Sequence, residues 1–327
     1  MALERLQSYW EKDLPLLRTP RTIQILLVRQ THDYSIFRTE ESRELNVVAL
    51  PHSLRHKNSE TRVVMLASKQ KAPETRRFAE LAKALAQETG VSLDQDQLDC
   101  SLKDKLCRRC PRCSLFGAVS TETGQGADRW NIRHRIEYAS AFSVEPYEAV
   151  SELLTFNAVT EQSQSTGQAL GYTENVGPLV HFGSVVSLVA PTRDEFLLTL
   201  LTLLSTKQYG AETRTRGATV NHVLGVLAGW EEVVTSLEWT LALAEGDKAN
   251  WFEATEAMVA PFLKEATFPD KALAITGPDL AALLDEVRAT APNMAAMYQQ
   301  SGEFARRVEA FVRGSDNEGG RGRRTRR

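Results

Sequence analysis

Apolar and polar residues alternate along the first two thirds of the chain in short runs that predict strands and helices in turn. Runs rich in β-branched and apolar residues predict strands at residues 21–28, 46–50, 61–67, 153–160, 185–189 and 218–227. Apolar residues at helical spacing predict an amphipathic helix that begins at Pro73 and ends at Gly90. Thr192 and Glu195 have the spacing of a capping box, which predicts a second helix through the leucine-rich residues 196–204.

The order of the long elements is strand, helix, strand, strand, helix, strand. This order predicts an α+β fold with a ferredoxin-like (RRM-like) βαββαβ core in residues 1–230. Residues 153–160 would be its second strand, and residues 161–181, polar and glycine-containing, would form a long connection to the third. Such long irregular segments in a compact domain are usually functional or disordered.

Beyond Trp230 the pattern becomes helical, with helices predicted at residues 231–244, 251–266, 278–288 and 293–312. We expect residues 231–313 to form a small helical bundle on the core. Its seam would consist of large apolar side chains, namely Trp239, Trp251, Phe252, Phe262, Leu283 and Leu284. Residues 314–327 are rich in glycine and arginine and predict a disordered tail.

All four cysteines of the chain lie between residues 100 and 113, with the spacing C-x6-C-x2-C-x2-C. Four thiolates this close can hold one tetrahedral ion, so Cys100, Cys107, Cys110 and Cys113 predict a structural zinc site in an insertion at residues 98–130. The alternatives are an iron–sulfur cluster, although the ferredoxin run places its fourth cysteine after the triplet, or no bound metal. Basic residues of this segment would either offset the thiolate charge or contact phosphate; they are Lys103, Lys105, Arg108, Arg109 and Arg112. We expect loss of a cysteine to destabilise the insertion and to spare the core strands.

Composition adds two constraints. The net charge of −3 is nearly balanced, so any contact with nucleic acid must come from local clusters of basic residues. The longest apolar run, residues 196–204, is too short to span a bilayer, and the first residues mix charged and apolar side chains unlike a signal peptide. We therefore expect a soluble, cytoplasmic protein without a membrane partner.

Several unusual stretches together resemble one protein family. They occur in the expected order and are CRRCPRCSLFG, RHRIEYASAF, LLTFNAVTEQSQSTGQALGYTENVGP and TKQYGAETRTRGATVNHVLGV. The chain resembles, over roughly residues 20–230, the backbone subunit of the type I-D CRISPR surveillance complex, Cascade, in the seven-type branch of the RAMP superfamily. The resemblance implies an RRM-like core with a zinc-binding insertion and a non-enzymatic subunit that polymerises along CRISPR RNA and presents it to a target strand. Further partners would be the large, small and five-type cap subunits.

The resemblance also assigns a role to each of two segments. Residues 161–181 would be the thumb, which reaches a neighbouring copy and pushes between guide nucleotides, and residues 209–217 would be the loop along the guide backbone. The thumb has no lysine or arginine, so its apolar side chains would form a wedge; they are Leu170, Tyr172, Val176 and Leu179. Candidate RNA contacts are Arg38, Arg133, Arg135, Lys207, Tyr209, Arg214 and Arg216. The arginines and the lysine suit phosphate of any sequence, and the glycines let the backbone approach it.

Two alternative functions stay open at this point. Related subunits cleave target RNA with a loop aspartate, and Asp33 is the candidate here, although a lone loop aspartate is normally a turn residue. The other alternative is a zinc-stabilised RNA-binding protein outside CRISPR biology. The remaining histidines, His32, His52, His56, His181 and His222, lack a metal-ligand spacing and are interpreted as structural.

Overall fold

The computed structural model describes residues 2–39, 42–101, 105–119, 130–159, 166–212 and 215–322. The strands are β1 (Thr22–Thr31), β2 (Val47–Pro51), β3 (Ser59–Met65), β4 (Ile136–Tyr138), β5 (Ala141–Ser143), β6 (Ser151–Val159), β7 (Thr166–Val176), β8 (His181–Val189), β9 (Thr219–Gly229) and β10 (Leu273–Thr276). The helices are α1 (Ala67–Glu88), α2 (Gln95–Leu98), α3 (Pro111–Phe116), α4 (Tyr147–Val150), α5 (Arg193–Ser205), α6 (Ser236–Glu245), α7 (Trp251–Glu265), α8 (Gly277–Ala289) and α9 (Met294–Gly322). Short 3₁₀ segments lie at Leu3–Tyr9, Lys248–Asn250 and Pro269–Lys271.

One large antiparallel sheet has the strand order β10-β9-β1-β8-β5-β3-β2, and β4 pairs with β8 beside β5. The α+β class is confirmed. Strand β1 lies at the centre, where it pairs with β8 on one side and with β9 on the other. No helix in the described ranges is both long enough and apolar enough to cross a membrane.

Both faces of β1 are buried, which is why residues 21–28 form a nearly continuous apolar run. Ile23, Ile25 and Leu27 point into a core shared with α1, α3, α5, α8 and α9. Leu26 and Val28 point the other way, into a core shared with α6 and α7. The sheet is therefore covered by helices on both sides.

The second strand of the predicted core was misplaced. Residues 153–160 do begin in a strand, β6, but β6 pairs with β7 in a separate hairpin. The strand position beside β8 is taken instead by β4 and β5. These two strands have three residues each, which is too short for a recognisable alternation.

The helices after Trp230 do not pack around one seam. Trp239, Trp251 and Phe262 lie in the core on the α6–α7 side of the sheet, and Phe252 contacts both cores. Leu283 and Leu284 belong to the core on the opposite side. Strand β10, which was not predicted, lies between α7 and α8 and adds to the sheet beside β9. The chain thus passes from one face of the sheet to the other by adding an edge strand.

Helix α1 begins two turns before the predicted start at Pro73, which lies inside it. The buried side chain of Gln70 explains the earlier start, because its amide donates to the carbonyls of Met65 and Ala139 and accepts from Ser184. These bonds fix the first turn of α1 against the sheet although the proline lacks a donor for the helix. As a result, residues 67–72 join the helix and form part of the cleft described below.

Candidate nucleic-acid interface and candidate metal centre

The predicted phosphate loop connects α5 to β9 and turns at two glycines. Gly210 and Gly217 have φ angles of 64° and 59°, which side chains other than glycine rarely adopt. A Cβ on Gly217 would lie 2.1 Å from the carbonyl oxygen of Tyr209. The loop closes through the Tyr209 amide, which donates to the Gly217 carbonyl at 2.8 Å. Arg214 lies outside the described residues.

This loop forms one wall of an open cleft of 1140 Å³, and the first half of α1 forms the facing wall. Six of the seven charged residues in its described lining are basic, namely Arg38, Lys69, Arg76, Arg77, Lys207 and Arg216. Glu80 is the acid among these described lining residues, and it pairs with Arg77 at 3.3 Å. A groove with this excess of positive charge suits a polyanion, and its arginines and lysines can contact phosphate without reading bases.

Three predicted RNA contacts and three unpredicted ones meet in this cleft. Lys207, Arg216 and Arg38 were predicted, and Arg38 is held at the rim by a two-oxygen contact with Glu212 at 2.9 and 3.1 Å. Lys69, Arg76 and Arg77 were missed. Their spacing of seven and eight residues puts them on one face of a helix, a signal hidden because the predicted helix began too late to include Lys69.

Arg135 and Tyr209 are buried, so these two predicted RNA contacts are corrected. The Arg135 guanidinium makes a bidentate ion pair with Glu195 and also donates to the carbonyls of Ala190 and Ser114. Tyr209 is 1% exposed, and its hydroxyl bonds to groups beneath the cleft. Side chains this deeply buried, with their polar groups already bonded inside the protein, are not available to RNA.

Arg133 is exposed, in contrast to Arg135. In a strand, the side chains of Arg133 and Arg135 would point in the same direction, but β4 begins only at Ile136. The backbone before it is irregular, so the two-residue period of a strand does not apply there. Arg133 therefore stays a prediction, placed outside the lining of the basic cleft.

The predicted thumb falls largely on the hairpin of β6 and β7, with residues 161–165 outside the described part of the chain. Tyr172 and Leu179 are 50% and 63% exposed and remain candidates for contact with a base or a neighbour. Val176 is fully buried in a core with Val150 and Phe182, which explains why it is apolar without any wedge function. The side chain of Leu170 lies outside the described part of the structure. His181, the predicted end of the thumb, is the first residue of β8.

Asp33, the candidate nuclease residue, stabilises the loops beside the cleft. One carboxylate oxygen accepts from the Tyr34 amide at 2.8 Å. The other accepts from the Thr215 hydroxyl at 3.1 Å and the Arg216 amide at 3.2 Å. This is the turn role expected of a loop aspartate, and it ties the β1 end to the phosphate loop.

The four cysteine sulfurs converge within 4.8 Å of one another. Cys100 lies 3.5 Å from Cys113 and 3.7 Å from Cys110, sulfur to sulfur. In a tetrahedral site with zinc–sulfur bonds of 2.3 Å, the sulfurs lie about 3.8 Å apart. The geometry and the all-thiolate donor set thus fit a closed zinc site, with Cys100, Cys107, Cys110 and Cys113 as the ligands.

The basic residues around the cysteines have separate partners. Lys105 and Arg109 pair with acidic residues around α2, and Arg108 stacks on Trp130 at 4.6 Å. Arg112 is buried and lies 3.8 Å from the Cys113 sulfur. Arg112 is therefore placed to offset thiolate charge directly. Lys103 lies outside the described residues.

The cysteine site is part of a main hydrophobic core. Cys100, Cys110 and Cys113 are buried in the same core as Phe78 of α1 and Tyr298 of α9. The neighbouring Ser114 hydroxyl lies 3.0 Å from that of Ser301 on α9. Loss of this site should therefore reach the helices that cover the sheet, contrary to the expectation that the core would be spared.

His181 shows the structural role predicted for the histidines. Its Nδ1 lies 2.6 Å from Glu145, whose carboxylate also pairs with Lys248. Burial opposes ionisation of Glu145, but the hydrogen bonds from His181 and Lys248 outweigh it and lower the pKa of Glu145 to about 2.

This depressed pKa predicts a pH effect on stability. The ionised carboxylate is favoured in the folded state, so its contribution is present above pH about 4.5 and is lost as the pH falls toward 2. Thermal unfolding of wild type and Glu145→Gln between pH about 5 and 2.5 tests this. The variant should be less stable at pH 5 and less sensitive to pH, and parallel curves would contradict the assignment.

Comparison with known proteins identifies the family of this chain. The family described as Csc2 Crispr matches residues 6–298. A solved structure of Thermofilum pendens Csc2 is 20% identical and covers 95% of each chain, with a TM-score of 0.67. Two chains described as a CRISPR RNA-guided surveillance complex, one of them pre-nicking, are 12% and 13% identical, with TM-scores of 0.44 and 0.48. They cover 76% and 82% of this chain and 87% and 99% of their own. No curated protein matches. Because the family match spans most of its length, the chain belongs to the Csc2 CRISPR family.

Proposed function

We propose that this chain is a CRISPR RNA-binding backbone subunit of a type I-D Cascade complex, which polymerises along the guide and presents it to a target strand. The basic cleft between α1 and the 207–217 loop is the observation that carries the proposal. A backbone subunit must hold RNA of any sequence and leave the base edges free for pairing. A groove lined by lysine and arginine on two walls is suited to that task. The type I-D assignment is supported by the sequence resemblance.

The strand order around β1 supports an RRM-like core. Strands β9, β1, β8 and the β4–β5 pair are neighbours, and α1 and α5 occur where the βαββαβ order requires its helices. In this interpretation the β6–β7 hairpin, with its turn, is the thumb. Tyr172 and Leu179 on and beside it would contact a base or a neighbouring copy, and a zinc ion on the cysteines would hold α3 against α1 and α9.

A scaffold role without catalysis is favoured over RNA cleavage by the bonds of Asp33. Both of its carboxylate oxygens accept hydrogen bonds from neighbouring loop groups, which supports a role in loop structure. The proposed partners are CRISPR RNA and the large, small and cap subunits. They are proposed because of the resemblance to subunits of RNA-guided complexes. Purified with the products of its neighbouring genes, the protein should carry a discrete RNA and assemble in several copies along it. An RNA-binding protein outside CRISPR would not show this self-assembly.

The cleft gives a direct prediction for RNA affinity. The double variant Lys207→Ala/Arg216→Ala should bind unrelated single-stranded RNAs more weakly by the same factor, because both residues would contact phosphate. Loss of two phosphate contacts should reduce the slope of log K against log salt by about 1.4 for single strands. Fluorescence anisotropy with three unrelated sequences measures both quantities.

Lys57→Ala/Lys264→Ala is the matched control, since it removes the same charge from two exposed residues away from the cleft lining. Its affinity and salt slope should match those of wild type. A loss of affinity for only one RNA sequence would mean that the loop reads bases. Equal losses of affinity in both double variants would mean that RNA binding depends on the overall charge of the protein and not on the cleft.

A further inference from the structure

A buried polar group lies directly beneath the basic cleft. It consists of Arg29 on β1, Glu74 on α1, Tyr209 in the loop and Asn221 on β9, and we call these four residues the Arg29 network. Arg29 and Glu74 are 0% exposed and their ion pair measures 2.5 Å. A buried pair of charges is costly to desolvate, so its position under the cleft requires an explanation.

The Tyr209 hydroxyl is the point where this network meets the loop. It donates to Glu74 at 2.6 Å and accepts from Arg29 at 3.0 Å and from Asn221 at 2.8 Å. One donor and two acceptor positions are the whole capacity of a phenol oxygen. The hydroxyl is therefore fully used and its position is fixed from three directions.

The network connects the two walls of the cleft. Glu74 precedes Arg76 and Arg77 by less than one helical turn on the α1 wall. Tyr209 lies two residues after Lys207, and its carbonyl packs under Gly217, next to Arg216. The bond between Tyr209 and Glu74 thus joins the two sets of basic side chains through a rigid, buried contact.

We propose that Tyr209 is a positioning residue, which sets the separation of the two basic walls so that both contact the backbone of one RNA strand. The inference rests on the proposed function of the cleft. The charged pair supplies strong, directional hydrogen bonds that an apolar contact would not. Tyr209 itself touches no RNA and acts through Lys207 and Arg216.

Tyr209→Phe removes only the hydroxyl and tests the proposal. Release of the loop should weaken RNA binding about fivefold, the size expected for loss of one hydrogen bond. Tyr9→Phe is the matched control, because it removes the same group, a hydroxyl that donates to the Lys271 carbonyl at 2.8 Å, from a tyrosine outside both the Arg29 network and the cleft lining. At equal stability, the control should retain the RNA affinity of wild type.

A double-mutant cycle separates positioning from general damage. If Tyr209 acts through the loop cations, Tyr209→Phe should have almost no further effect on affinity in the Lys207→Ala/Arg216→Ala background. An equal fold-change in both backgrounds would overturn the proposal. Gly217→Ala provides an independent route, since its Cβ would displace the Tyr209 carbonyl without altering a buried charge, and it should reproduce the loss seen with Tyr209→Phe.

Hydrogen exchange of the RNA-free protein distinguishes failure of the positioning role from failure of the proposed function of the cleft. We expect faster exchange of the loop amides of Tyr209 and Thr215 in Tyr209→Phe, but not in Tyr9→Phe. If this occurs while the cleft variants do not alter RNA binding, the proposed function fails and the loop anchor stands. If the cleft variants lose affinity while Tyr209→Phe changes neither exchange nor binding, the positioning role is wrong.

Discussion

Replacing Cys113 with serine should destabilise the whole protein, and not only the segment that contains the cysteines. Cys113 is fully buried, and its neighbours in the core include residues of α1 and α9. The apparent binding energy of a structural zinc site in zinc-finger peptides is about 10–16 kcal/mol at neutral pH, which is comparable to the net stability of a domain. Loss of one ligand should therefore lower the unfolding transition of the entire core.

Thermal unfolding and metal analysis measure this effect together. Wild type should contain one zinc per chain, and the variant should lose it and unfold in one transition at lower temperature. Ser114→Ala is the control, because it lies beside Cys113, contacts Ser301 of α9 and is not a ligand. Its cost should be about 1 kcal/mol. An iron-containing protein, or unfolding confined to residues 100–119 in hydrogen exchange, would contradict the prediction.

Glu195→Ala should cost about 3–5 kcal/mol because it leaves the buried guanidinium of Arg135 without its partner. Glu195 also closes the capping box of α5 by accepting from the Thr192 amide at 3.0 Å. The loss of that cap adds about 1 kcal/mol. Denaturant unfolding gives the free energy directly.

Helix α6 offers the control for this second prediction. Glu238 makes the same capping box with Thr235 but has no buried arginine to neutralise. Glu238→Ala should therefore cost only about 1 kcal/mol. Arg135→Ala should likewise reduce stability far more than Arg133→Ala, which removes an exposed charge. Equal costs for the Glu195 and Glu238 variants would show that the buried ion pair does not stabilise the fold.

The capping box shows what local sequence predicts well. Thr192 and Glu195 identified the start of α5, and the structure has both reciprocal bonds. The same local information misplaced α1, since the bonds of Gln70 that fix its first turn come from distant strands. It also failed to separate Arg133 from Arg135, because burial of Arg135 depends on Glu195, sixty residues away.

In the candidate site, too, local sequence predicted the contiguous features and missed those that depend on distant contacts. The glycines and basic residues of the 207–217 loop were recognisable because they are contiguous. The facing wall was not, because Lys69, Arg76 and Arg77 reach the cleft only when α1 packs beside the loop. The cysteines predicted a metal site from spacing alone, but their spacing carries no information about the core into which they fold.

The position of β1 in the sheet has a consequence for synthesis on the ribosome. Gln24 bonds with the backbone of Val234, 210 residues later, and the Leu14 carbonyl accepts from Arg307, 293 residues later. At translation rates of roughly 5–20 residues per second, Gln24 of β1 waits about 10–40 s for Val234. The apolar first strand is made early and paired late, so the nascent chain should depend on chaperones that shield it until the second half has emerged.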